Sequence, residues 1–206
     1  MSDSVGPADV KVPLLSLTAP AAAGATTPIA FWAEEQLTHP YLLTVDFLSD
    51  KKDITPDQLL YQPVCLTVTN WEGPVRYFHG IVRRMSSATS ESRDQWAYSI
   101  EVVPRLWFMS QTEDCRIFQQ QSAADILRAI FTDASVSPVQ FKIYGNKPVR
   151  EYTTQMNETD LAFVTRLIQE EGWFYFFQHS ANAHTLIISD QNAVFQALDQ
   201  PTVKLV

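Results

Sequence analysis

Cysteine is scarce in this sequence: Cys65 and Cys115 are the only two. A small secreted scaffold stapled by disulfides needs more, so the pair reads as two buried free thiols in a reducing compartment. Basic runs are missing as well. Lys and Arg total 15 against 23 Asp and Glu, a formal charge of −8, and no basic stretch exceeds the pairs Lys51-Lys52 and Arg83-Arg84. Nucleic-acid binding draws its affinity from clustered phosphate contacts, so this pattern argues against it. No apolar run approaches the ~20 residues of a membrane-spanning helix. The first residues are acidic and polar, without the basic-then-apolar order of a signal peptide. The chain is therefore expected to fold in the cytoplasm and not to insert into a membrane.

Catalytic patterns are equally thin. There is no glycine-rich phosphate loop and no Gly-x-Ser-x-Gly elbow. His39, His79, His179 and His184 lack metal-ligand spacing, and the last two read as exposed residues at the ends of a hairpin loop. Glu34-Glu35 and Glu170-Glu171 could in principle supply the acid and base of a cell-wall hydrolase. Adjacent residues on a helix do not face one another, however, so Glu170 and Glu171 cannot flank one bond and read as a solvated helix end. Asp114-Cys115-Arg116 would suit a thiolate beside a guanidinium, but no histidine stands at a readable spacing. Trp32 and Trp71, near turns, leave a glycan-binding module as a further class, against plain local packing. No catalytic, cofactor-binding or metal-ligating residue is assigned, and no cofactor is implied.

What the chain does have is apolar and aromatic bulk, 46% and 12% of residues, enough to fill a core and suited to strands. Residues 1–28 read as a flexible leader, because 19–28 are small residues between prolines with no face to bury. Strand patterns follow at Tyr41–Leu48, Val64–Asn70, Val75–Val82 and Gln95–Val103, with a turn at Glu72-Gly73-Pro74 and a polar loop over Ser86–Asp94. Short turns between such strands indicate an antiparallel barrel or sandwich, and Pro104 ends the run. Beyond it, Ser122 and Asp125 form a variant capping box for a helix near 122–132. A second helix is expected over 157–171, capped by Asn157, with Glu158 and Asp160 at its positive end. Leu161, Val164, Leu167 and Ile168 form its buried stripe, and Gly172 stops it. A strand at Trp173–Phe177 should pair with His184–Asp190, with the helix covering one side and whichever of Phe176 and Phe177 faces inward lying in the core. The fold class is thus α+β, mainly β. An antiparallel barrel-like domain spans 29–108, a smaller α/β domain with two helices spans 109–190, and 191–206 begin a following segment.

Several stretches together resemble one family. Glu113–Gln119 (EDCRIFQ) is similar to the D-S-R-I-F-Q block of VgrG proteins, the spike proteins of the bacterial type VI secretion system. Gln155–Phe163 (QMNETDLAF) resembles their Q-Y-x-E-S/T-D-L-x-F, and Arg166–Phe177 (RLIQEEGWFYFF) their R-L-x-E-E-E-G-I-x-Y-x-F. Tyr77–Val82 and Val102–Trp107 match two earlier blocks. The resemblance runs over roughly 30–190 in the right order, with Cys115, Met156 and Trp173 as its mild departures. The signature positions are Arg116, Phe118, Gln155, Glu158, Asp160, Arg166, Glu171 and Gly172. The resemblance implies a phage-tail-hub-like fold and a structural, non-enzymatic part of a homotrimer in the full-length protein. It also implies seating on the Hcp tube, with effector cargo or adaptors as further partners and delivery by the injection machine after cytoplasmic assembly. The hub of a contractile phage tail or phage-derived particle is the sister reading. The chain reads as the N-terminal piece of such a protein, excised from a longer one.

Overall fold

The strands foreseen between residues 41 and 103 form one six-stranded antiparallel sheet that bends into a nearly closed barrel. The structure is a computed structural model, and it describes residues 14–19, 26–70, 73–88 and 95–195. The strands are β1 (Leu15–Thr18), β2 (Thr26–Glu34), β3 (Leu42–Ser49), β4 (Pro63–Asn70), β5 (Gly73–Ala88) and β6 (Trp96–Val103). Their order is β1-β4-β5-β6-β3-β2, and the Thr26 hydroxyl donates to the Leu17 carbonyl at 2.9 Å, bringing the two outer strands together.

Period-two alternation sets which side is dry. In β3 every second residue is buried, and Leu43, Val45 and Phe47 stand opposite Val102, Ile100 and Tyr98 of β6. Val64, Leu66, Phe78 and Val82 complete the interior. A short helix, α1 (Pro56–Leu59), inserts fully buried Leu59 into this interior. The Tyr98 hydroxyl anchors the same connection, accepting from the Ile54 N–H and donating to the Lys51 carbonyl.

Several local expectations change here. Strand β1 lies within the stretch expected as a leader, because Leu15-Ser16-Leu17-Thr18 alternates and pairs with β4. Thr26–Pro28 likewise belong to β2, an outer strand whose register shifts beside Pro28, where a missing N–H is tolerated. Gly73 and Pro74, expected in a turn, are already in β5, opposite Asn70 and Thr69, and Glu72 lies outside the described residues. β5 also runs on to Ala88, past the expected end at Val82, after a bulge at Arg83.

A second compact unit takes residues 35–41, 104–178 and the described residues from 184 onward. The first takes the described residues up to 34, 42–103 and 179–183. The second unit starts with a 3₁₀ turn (Arg105–Gln111) after Pro104, then strand β7 (Glu113–Ser122), helix α2 (Ala123–Asp133) and strand β8 (Val139–Lys142). Strand β9 (Val149–Thr159), helix α3 (Asp160–Glu170), and strands β10 (Phe174–His179) and β11 (His184–Ser189) follow. β7 and β9 make an antiparallel two-stranded ribbon, while β10, β11 and β8 form a small sheet in which β8 runs parallel to β11. Ile126, Leu127, Ile130 and Phe131 of α2 and Phe163, Val164, Leu167 and Ile168 of α3 share one core with Trp173, Tyr175, Leu186 and Ile188.

The helix starts divide. Ser122 caps α2 as expected: its Oγ accepts from the Asp125 N–H and donates to the Asp125 carboxylate at 2.6 Å. Asn157 does not cap α3. It stays in β9 with a left-handed φ of 50°, because pairing with β7 persists as far as Thr159, opposite Glu113. Thr159 is the cap, accepting from the Ala162 N–H at 3.1 Å. Of the two aromatics left open, Phe177 packs against the core with Trp173 and Tyr175, and Phe176 takes the other face.

Gly172 ends α3 with φ of 70°, and a Cβ there would meet nothing within 4 Å. The cost of a side chain is therefore conformational alone. Gly172→Ala should destabilise by about 1 kcal/mol, and Gly172→Asn by less, measured by urea denaturation. An unchanged midpoint in Gly172→Ala would remove the left-handed requirement.

Candidate functional site

The signature residues are scattered over the sequence, yet they gather where the β7–β9 ribbon meets α3. In the ribbon Arg116 stands opposite Gln155 and Phe118 opposite Thr153, all turned toward α3. A bulge between Asp114 and Arg116 sets Cys115 aside and turns the flanking charges together.

Asp160, the first residue of α3, is buried at 6% exposure. Its carboxylate accepts from Thr112 Oγ1 at 2.8 Å, from Gln155 Nε2 at 2.8 Å and from Arg116 at 3.2 and 3.3 Å. Its own N–H donates to the Thr112 carbonyl, so backbone and side chain are held by one residue. Arg116 also donates to Asp114 at 2.6 Å. Burial pulls the guanidinium toward neutrality, but Asp114 and Asp160 outweigh it and raise its pKa.

A second set of charges clamps the far side of the helix. Arg166 is bonded to Glu158 through two nitrogens, to Glu170 at 2.9 Å and to the Thr154 carbonyl at 3.1 Å. Its hydrogen bond to Glu158 is the largest reason its pKa is raised. Arg150 of β9 reaches Glu170 at 2.7 Å and grips Glu171 through two nitrogens. Between the two sets lies an apolar pair: the Phe118 and Phe163 rings stack 5.9 Å apart at 9°, with the Arg166 guanidinium 5.2 Å from the Phe163 centroid.

The solvated helix end is thus only half right: Glu170 stays exposed and Glu171 does not. Both are ion-paired to Arg150, and the Glu171 side chain is only 10% exposed. Arg150 and Thr112 escaped the sequence reading because their partners lie 21 and 48 residues away, beyond any local pattern. The arrangement pairs each of these guanidinium groups with two carboxylates, which suits stiffness.

Other candidates are dispersed. Cys65 is buried, and burial raises its thiol pKa, whereas Cys115 is exposed, contrary to expectation, because the bulge turns it outward. Its Sγ lies 3.2 Å from Asn157 Oδ1, while Arg116 faces the carboxylates instead. His184 is not an exposed hairpin residue: it is buried, and its Nε2 accepts from the Arg105 N–H at 3.0 Å. His179 Nδ1 accepts from the His79 N–H at 3.1 Å, and burial, then the neighbouring His179, lowers the His79 pKa. Among the described residues no group of three His, Cys, Asp or Glu is placed to hold a metal ion. Trp32 is exposed on β2, and Trp71 lies outside the described residues.

Residues 34–206 match the phage tail baseplate hub (GPD) family, and the chain belongs to it. Within that class it is similar to type VI secretion spike proteins. It is 33% identical over 163 residues to VgrG1b of Pseudomonas aeruginosa, covering 79% of this chain and 22% of that protein. With VgrG3 of Vibrio cholerae it shares 32% over 157 residues, covering 76% of this chain and 15% of the other. The chain thus spans about a fifth of the length of these relatives. The fold matches that of the E. coli c3393 protein with a TM-score of 0.82 at 24% identity, over 88% of this chain and 51% of that one. That protein is described as a type VI secretion component structurally similar to T4 tail proteins gp27 and gp5.

Removing the buried carboxylate in Asp160→Ala leaves three donors facing an emptied site and should cost about 3–5 kcal/mol in urea denaturation. The clamp also sets a pH dependence. The Arg150 hydrogen bond, against a smaller effect of burial and with Arg166 adding, holds the Glu170 carboxyl below its usual range. A lowered folded pKa contributes stability above the ordinary carboxylate pKa and loses it as pH falls through the folded value. Glu170 is 39% exposed, so the gain should stay within about 1 kcal/mol. The Tm gap between wild type and Glu170→Gln should be open near pH 7 and closed by about pH 3. A gap that does not change with pH would mean that the pairs with Arg150 and Arg166 add nothing.

Proposed function

We propose that this chain is a structural hub module of a type VI secretion spike, working as a stiff part and not as a catalyst. The observation that carries the reading is the convergence of the signature residues on one ion-paired framework, in a chain a third identical to spike proteins. In the full-length protein the module trimerises and takes its seat on the Hcp tube, with effectors or adaptors carried beyond it. Assembly takes place in the cytoplasm, and delivery to the target follows with the machine.

The test is a longer protein carrying this module and its downstream region. Light scattering should report a trimer, and the trimer should retain Hcp on an affinity column. A monomer that ignores Hcp would sink the reading. Binding to a phage tube protein in preference to Hcp would favour the phage-tail hub, a reading supported by the family itself. Peptidoglycan-hydrolysis assays should stay blank; turnover abolished by changing one acid would instead make the protein an enzyme.

A further inference from the structure

A cavity of about 340 Å³ lies between the 3₁₀ turn and the last turn of α2. One wall is formed by Arg116 and Asp160 of the framework described above. The rest of the lining is different in kind. Residues three apart in a 3₁₀ helix eclipse one another, which sets Arg105 and Phe108 on the same side of the turn. Phe108, Met109, Ile130 and Ala134 give the cavity an apolar body, while Asp133 stands exposed on its rim. The two arginines are not equivalent. Arg116 is held by Asp114 and Asp160. The Arg105 backbone N–H donates to His184 Nε2, yet its half-buried guanidinium has neither an ion pair nor a hydrogen bond among the described residues. A charge drawn partly out of water is costly until a counter-charge meets it.

We propose that this cavity receives the C-terminal residue of a partner polypeptide, with Arg105 as the counter-ion of its carboxylate. A guanidinium fork matches a planar carboxylate and bonds both of its oxygens at once. The apolar lining takes the side chain of the terminal residue. A volume of about 340 Å³ stands at the small end of the ~300–1,000 Å³ usual for ligand pockets, which is room for one residue and not for a large cofactor. The remaining charges narrow the class further. Asp133 and Asp160 repel a doubly charged phosphate more strongly than a single carboxylate. On the rim, the Asp133 carboxylate can accept the amide N–H that a peptide terminus also carries. Carboxylate, apolar side chain and N–H thus come from one residue, and each meets a group of its own kind in one cavity.

An NMR titration of the intact chain with N-acetyl-leucine, a one-residue mimic of such a terminus, tests the proposal. The Met109 and Ile130 methyl signals and the Phe108 amide should shift saturably, with a Kd on the order of 1 mM. N-acetyl-leucinamide, in which the carboxylate is an uncharged amide, should bind at least ~10-fold more weakly. Arg105→Gln should erase that difference while the signals of β8 and β11 stay in place. Should that variant fail to fold, Ala134→Leu, which fills the cavity from the end of α2, serves instead, with loss of the shifts expected. No saturable shift by about 10 mM acid, or equal binding of acid and amide, would overturn the proposal. Inorganic phosphate shifting the same signals as tightly as the acid would also overturn it and assign the cavity to a phosphate group.

Discussion

A carboxylate taken out of water must be met by donors, or its burial costs several kcal/mol. Asp160 is met by three side chains from three places: Thr112 after the 3₁₀ turn, Arg116 in β7 and Gln155 in β9. This one charge ties the start of α3 to both strands of the ribbon. The position of α3 then determines where Phe163, Val164, Leu167 and Ile168 enter the core. Unless the ribbon forms in register, the carboxylate loses Arg116 and Gln155; unless α3 is in place, both of them lose the carboxylate. Local strand pairing and helix packing are thereby made conditional on each other.

Much of this was legible in the residues. Alternation marks β3, β4 and β6 almost to their ends, and Ser122 and Gly172 declare a helix start and a helix stop by chemistry that is purely local. The start of α3 was misplaced for an instructive reason. Asn157 and Thr159 are both good caps, and the choice between them is made by pairing with β7, whose partner strand lies some forty residues earlier. The same limit hid the clamp. Glu170 and Glu171 look unpaired when only their neighbours are considered, and it takes Arg150, brought alongside by β9, to bind both and cover Glu171. The family blocks contain residues that touch in the fold, such as Arg116, Gln155 and Asp160, without saying that they do.

The charges of the site are used against one another. Catalytic groups need an unmet task, a pKa poised near working pH or a donor aimed at a vacant position. Here Arg116, Arg150 and Arg166 are driven toward permanent charge, and each is engaged by two carboxylates. Planar guanidinium forks resist rotation once bonded on two sides, so the ribbon and α3 are held in one geometry.

The parallel pairing of β8 with β11 carries a consequence for the order of folding. Val139 pairs with Leu186 and Lys142 with Ser189, so two short strands enclose β9, α3 and β10 between them. Such a closure joins distant parts of the chain and is made only when everything it encircles is already ordered. The pairing is therefore expected among the last contacts to form, and a change that loosens β9, α3 or β10 weakens it from a distance.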